Sequence, residues 1–165
     1  MKKNKLVNKK YTQEFFYCLP AFAFAIPTFP VMILLPALYV EKYDISIAVI
    51  GIVIFLAKII DIISDPIMGW ICDKSFFNRK LLMFFGAIIS GTSIYFLFFP
   101  FIIPDPLYLG IMITCLYTGW TIFQVPYLSF GYDLKSDYQK RTRLSGTREI
   151  FILLGLSTSV LYLLF

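Results

Sequence analysis

Lys58, Asp61 and Asp65 lie within AKIIDIISDPIMG (57–69), inside a long apolar run. Spacings of three and four residues put all three on one face of an α-helix. A charge at the centre of a lone membrane-spanning helix costs about 2.5–3.5 kcal/mol, so such groups must pair or face water, and they usually mark ion or proton paths. Pro66 lacks an N–H, so the carbonyl of Ile62 loses its helical donor and a bend is expected there. A freed carbonyl beside two carboxylates makes an oxygen-rich site. Such a site suits a hard cation such as Na⁺, and a carboxylate pair can equally hold a proton. Two readings stay open: a cation site in a water-accessible cavity, or Lys58 paired with Asp61 while Asp65 caps a kink.

The elements that must carry this face are membrane helices. The 165 residues are 59% hydrophobic and only 15% charged, where a soluble domain is nearer half and a quarter. The apolar residues form runs long enough to cross a bilayer as helices. Spans are expected at about 15–40, 46–72, 81–103, 107–132 and 148–165, with the first broken by Pro20, Pro27, Pro30 and Pro36. The reading is an all-α polytopic membrane protein, 1–165 forming a single membrane domain, with no soluble domain of useful size. The segment after MKKNKLVNKK is too long and too rich in proline for a cleaved leader.

Charge placement gives orientation and excludes other classes. Lys2, Lys3, Lys5, Lys9 and Lys10 precede span 1; Lys74, Arg79 and Lys80 follow span 2; Lys135, Lys140, Arg141, Arg143 and Arg148 follow span 4. Only Lys42 falls on the opposite side, and Lys58 is within the membrane. The N-terminus is therefore expected to be cytoplasmic, and the Ile-, Phe- and Lys-rich usage points to an AT-rich bacterial genome and hence an inner membrane. The net charge of +5 is loop topology and no signal of nucleic-acid binding. With no histidine, the commonest general base is missing, and Cys18, Cys72 and Cys115 are too far apart for a metal or redox pair. No nucleophile–base pair or phosphate loop is present, so no enzyme and no cofactor is expected. Isolated Ser and Thr in the spans read as packing or backbone-bonding groups.

Both polar loops place acids before bases: Asp73 before Arg79, and Asp137 before Arg141. Beyond topology, these can form charge pairs that lock cytoplasmic helix ends in one state and break in another. Arg148, beside Glu149 at the mouth of span 5, can either snorkel to the surface or hold an anionic or polyhydroxy ligand.

AKIIDIISDPIMGWICDKSFFNRKLLMFFGA (57–87) resembles the span 2 to span 3 signature of the glycoside–pentoside–hexuronide:cation symporters, the melibiose-permease branch of the major facilitator superfamily. VPYLSFGYDLKSDYQKRTRLSGTREIFILLG (125–155) resembles that family's second signature, in the right order and at the right separation. The resemblance implies twelve helices in two halves working by alternating access, of which this chain is similar to the N-terminal half, about five helices. It implies that Asp61 and Asp65 match the cation-binding carboxylates, that Thr121 falls where a further cation ligand is expected, and that Arg148 matches a sugar-site arginine. The coupling ion would be Na⁺ or H⁺, and the solute a sugar or related small molecule; Arg148, Gln124 and Lys58 are the residues expected to bind it.

Two positions depart from that pattern. An acid is expected before the V-P pair of span 4, where TIFQVPY has Gln124, and another near Ala25, where AFAFAIPTFP has none. A galactoside-type solute is thereby put in doubt, and relatives of the family move other solutes, lipids among them. The length is a third departure. Its expected consequences are a separately encoded C-terminal half, a second copy of the chain, or a truncated remnant that does not transport.

Overall fold

The computed structural model describes residues 2–74, 78–134 and 137–164, with side chains described between residues 14 and 162. Its order is α1 (Lys2–Ala25), a π-helical turn (Pro30–Leu34), α2 (Leu35–Tyr43), α3 (Ile47–Asp73), α4 (Arg79–Phe98), α5 (Pro106–Asp133) and α6 (Tyr138–Leu164). There is no strand among the described residues. Five stretches are long and apolar enough to cross a membrane: Glu14–Tyr43, Ile47–Asp73, Arg79–Phe98, Pro106–Asp133 and Tyr138–Tyr162. The chain is an all-α integral membrane protein.

Local chemistry explains the boundaries. α1 ends at Ala25 because Pro27 and Pro30 each remove an N–H from the ladder. The chain then widens into the π-helical turn, entered by the Val31 N–H donating to the Pro27 carbonyl at 3.0 Å. Asp44, in the turn after α2, takes a positive φ of 55°, a region that Asp tolerates better than bulky residues. Ser46 then caps α3, its hydroxyl accepting from the Val49 N–H. α4 stops at Phe98, short of the expected end near 103, because Pro100 disfavours helix at the residue before it. The Asp105 carboxylate accepts from the Tyr108 N–H at 2.7 Å and starts α5. α6 begins at Tyr138, ten residues before Arg148, because the polar stretch from 138 to 147 has no proline and several good helix formers.

The chain divides into two compact units. One comprises residues 1–34 and 131–165, and in it α1 packs on α6. Gly155 makes that packing close: a Cβ there would lie 2.6 Å from the Phe22 carbonyl oxygen and 2.8 Å from the Ala25 Cβ. The rings of Phe15 and Phe151 meet edge to face, 5.6 Å between centroids. Lys2, Lys3, Lys5, Lys9 and Lys10, on which orientation partly rests, have side chains outside the described residues, and so does Lys135.

The other unit, residues 35–130, carries the charged face. Its core includes Tyr39, Ile50, Leu97, Leu109, Ile113 and Leu116, all fully buried or nearly so. The buried Tyr39 hydroxyl donates to the Leu97 carbonyl at 3.1 Å, and Tyr108 donates to the Phe96 carbonyl at 2.8 Å. α4 and α5 touch backbone to backbone at two glycines. A Cβ on Gly86 would lie 2.5 Å from the Phe123 nitrogen, and one on Gly119 would lie 2.7 Å from the Ser90 nitrogen. The side chains this unit leaves exposed on α3 include the large apolar Ile52, Phe55, Ile62 and Ile63 and the charged Lys58 and Asp65. Ser and Thr in the spans mostly bond to carbonyls one turn back, as Ser93 does to Ile89 at 2.8 Å and Thr114 to Gly110 at 2.7 Å.

Candidate cation site between α3 and α5

Asp61 sits near the middle of the 27-residue α3, about 20 Å from its start at 1.5 Å per residue. α5 brings Thr121 against it. The Thr121 hydroxyl oxygen lies 2.9 Å from Asp61 Oδ1 and 2.8 Å from Asp65 Oδ1. Thr121 is buried, and the Asp61 side chain is only 17% exposed. On its other oxygen, Asp61 accepts from the Lys58 ammonium at 2.9 Å. That ammonium also stands over the Tyr117 ring, 3.7 Å from its centroid. The Ser64 hydroxyl donates to the Asp61 backbone carbonyl at 3.0 Å, one turn before Pro66.

Proton counting defines what this cluster can hold. A threonine hydroxyl has one hydrogen, so Thr121 can donate to only one of the two carboxylates. The second contact becomes a hydrogen bond when the other carboxyl is protonated and donates to the hydroxyl oxygen. Alternatively, a cation among the three oxygens satisfies all of them. Formal charge points the same way: one ammonium against two carboxylates leaves a deficit of one positive charge. Among the described residues, no group of three or more His, Cys, Asp or Glu forms a set for a metal ion. The arrangement offers three side-chain oxygens and one uncompensated negative charge.

Lys58 does pair with Asp61, and Asp65 meets Thr121 across to α5 instead of serving only its own helix. Gln124 is exposed on the same face of α5 as Thr121, where it accepts from the indole N–H of Trp120 at 2.5 Å. Sequence reasoning passed over Tyr117 and Trp120. The available signal was their spacing: 117, 120, 121 and 124 recur at helical intervals along one stripe of α5, beside the Thr and Gln already singled out.

Arg148 is described in the other unit, on α6, with its side chain 18% exposed and paired to the neighbouring Glu149. Of the residues expected to act at a gate, Asp73 ends α3 and Arg79 opens α4; residues 75–77 between them are outside those described. Asp137 pairs with Lys140 at 3.1 Å, at the N-terminal end of α6, where its charge also complements the helix dipole. The Arg141 guanidinium lies 6.0 Å from the Tyr132 ring centroid.

An all-α membrane protein with a charge cluster at mid-span is built as secondary transporters are. Residues 16–164 match the sequence profile of the family described as MFS/sugar transport protein, and the chain belongs to that family. The family is one of transporters of the major facilitator type, which points to transport and away from catalysis. No solved structure matches the chain.

Proposed function

We propose that this chain carries the cation site of a Na⁺- or H⁺-coupled transporter for a sugar or related small solute, in the melibiose-permease-like branch of its family. Asp61, Asp65 and Thr121 bind the coupling cation. Gln124 and Arg148 contribute to the solute site, and Asp73, Arg79, Asp137 and Arg141 act at the cytoplasmic gate. The single observation that carries the reading is the Thr121 hydroxyl within 2.9 Å of one carboxylate and 2.8 Å of the other, one proton short of satisfying both. Coupling follows because a positive charge entering here changes how α3 is held against α5, the kind of two-state element that alternating access needs.

Transport by the chain in proteoliposomes tests it, with Na⁺ and pH gradients imposed separately and sugars offered as solutes. Uptake driven by one of the gradients and lost in Asp61→Asn and Asp65→Asn supports the reading. Uptake indifferent to both gradients sinks it. Gln124 favours a second reading of the solute alone. Its amide stands where the resemblance expects an acid, and its oxygen is already held by Trp120, so this position offers no carboxylate to accept from a galactoside's hydroxyls. Offering lysolipids in the same assay separates the two.

A further inference from the structure

The Lys58 ammonium has two partners of different kind, Asp61 Oδ2 at 2.9 Å and the face of the Tyr117 ring at 3.7 Å. An ammonium carries three N–H groups on a flexible four-carbon stem, and the Lys58 side chain is 47% exposed, so it has room to shift. An aromatic face attracts a cation without bearing a net charge of its own. Lys58 thus holds the carboxylate that an incoming cation needs, and it has a neutral resting place next to it.

Resting on the assignment of Asp61, Asp65 and Thr121 as the cation site, we infer that Lys58 is a built-in counter-ion. It competes with the coupling cation for Asp61, and Tyr117, which already faces the ammonium, holds it alone when the cation is bound. With no cation present, Lys58 neutralises Asp61, and the cluster avoids two uncompensated carboxylates within the membrane. When the cation arrives, the ammonium is displaced from Asp61 and stays over the ring. The displacement weakens cation binding, so that the ion is released at the end of a cycle instead of being trapped. It also limits the site to a single positive charge. A lysine that merely propped Asp61 in place would do the opposite, because its removal would loosen the site and weaken binding.

The two roles differ in sign, and calorimetric titration of Na⁺ into the whole chain in lipid nanodiscs, at one fixed pH, reads that sign. Lys58→Met is expected to bind Na⁺ about fivefold more tightly or better, the ion pair and the like-charge repulsion both being gone. Tyr117→Leu is expected to weaken binding about threefold, because the displaced ammonium depends on the ring alone whereas the undisplaced one keeps Asp61. Tyr117→Phe keeps the ring and should match the native chain. In the Lys58→Met background, Tyr117→Leu should change nothing. If Lys58→Met does not fold, the contrast between Tyr117→Leu and Tyr117→Phe decides alone. Native or weaker affinity in Lys58→Met overturns the inference. So does a Tyr117→Leu effect that is absent, or that is equal in both backgrounds. A native chain that binds no Na⁺ overturns it as well. Asp65→Asn distinguishes the two levels: if it abolishes Na⁺ binding while Lys58→Met stays native-like, only the counter-ion role falls. If it leaves Na⁺ binding intact, the assignment of the site falls with it.

Discussion

Replacing Thr121 by Val removes the hydroxyl with little change of shape. The site is buried at this residue, so water does not easily substitute for the lost group. In the native chain that hydroxyl touches two carboxylate oxygens, at 2.9 and 2.8 Å. A hydrogen bond to a charged group contributes about 1.5–3 kcal/mol. One such bond can be formed at a time, because there is one hydrogen, so the loss in cation binding should correspond to that range and not to twice it. Converted, Thr121→Val should weaken Na⁺ binding about tenfold to a hundredfold. Thr121→Ser keeps the hydroxyl and should stay within about threefold of native. Calorimetry on nanodisc-reconstituted chain gives the affinities, and thermal unfolding of the same samples checks that the fold is retained. A Thr121→Val variant that binds Na⁺ as the native chain does, with its fold intact, would refute the claim that the bridging hydroxyl is a cation ligand.

Gly86→Ala should destabilise the chain by about 1–3 kcal/mol, since the new methyl would meet backbone at 2.5 Å; Gly91→Ala, with nothing within 4 Å, should be neutral or slightly stabilising in the same thermal unfolding assay. Tyr39→Phe removes a buried hydrogen bond to the Leu97 carbonyl and should cost about 1 kcal/mol or somewhat more; an unchanged melting curve would contradict that. For orientation, a cysteine at Asp44 should react with an impermeant maleimide on intact cells, and one at Lys74 only after permeabilisation, in a background with Cys18, Cys72 and Cys115 replaced. The reverse pattern would invert the topology read from the lysines and arginines.

The helices were largely legible because their signal is the simplest a sequence carries: apolar runs of spanning length, interrupted by proline. The prolines also announced the break in the first span, though not the π-helical form of the turn at 30–34, which depends on how the freed carbonyls find new donors. The two ends that differed have local causes. Pro100 cuts α4 short, and the polar residues from 138 to 147 continue a helix because nothing in them forbids it. Hydropathy could not see the second case, since it scores transfer from water and not backbone preference.

The acid pair and Lys58 stood out because charge in a membrane helix is costly, and their common face followed from spacing alone. Thr121 did not follow from spacing. A hydroxyl in a span is ordinary, and what brings it to Asp61 and Asp65 is a tertiary contact 56 and 60 residues along the chain. Only the family resemblance flagged it. Tyr117 and Trp120 were hidden for a similar reason, because in a chain that is 19% aromatic two more rings carry no contrast.

The account's central claim is that the cluster of Lys58, Asp61, Asp65 and Thr121 takes up one positive charge. Counting that charge tests it most directly. Na⁺ titration of the native chain in two buffers of different ionisation enthalpy, with a pH jump on the same sample, gives the Na⁺ bound and the protons exchanged. The expected result is one charge per chain, as one Na⁺ or one proton, lost in Asp61→Asn and in Asp65→Asn. No uptake of either, uptake of two, or a titration that survives both substitutions would contradict it.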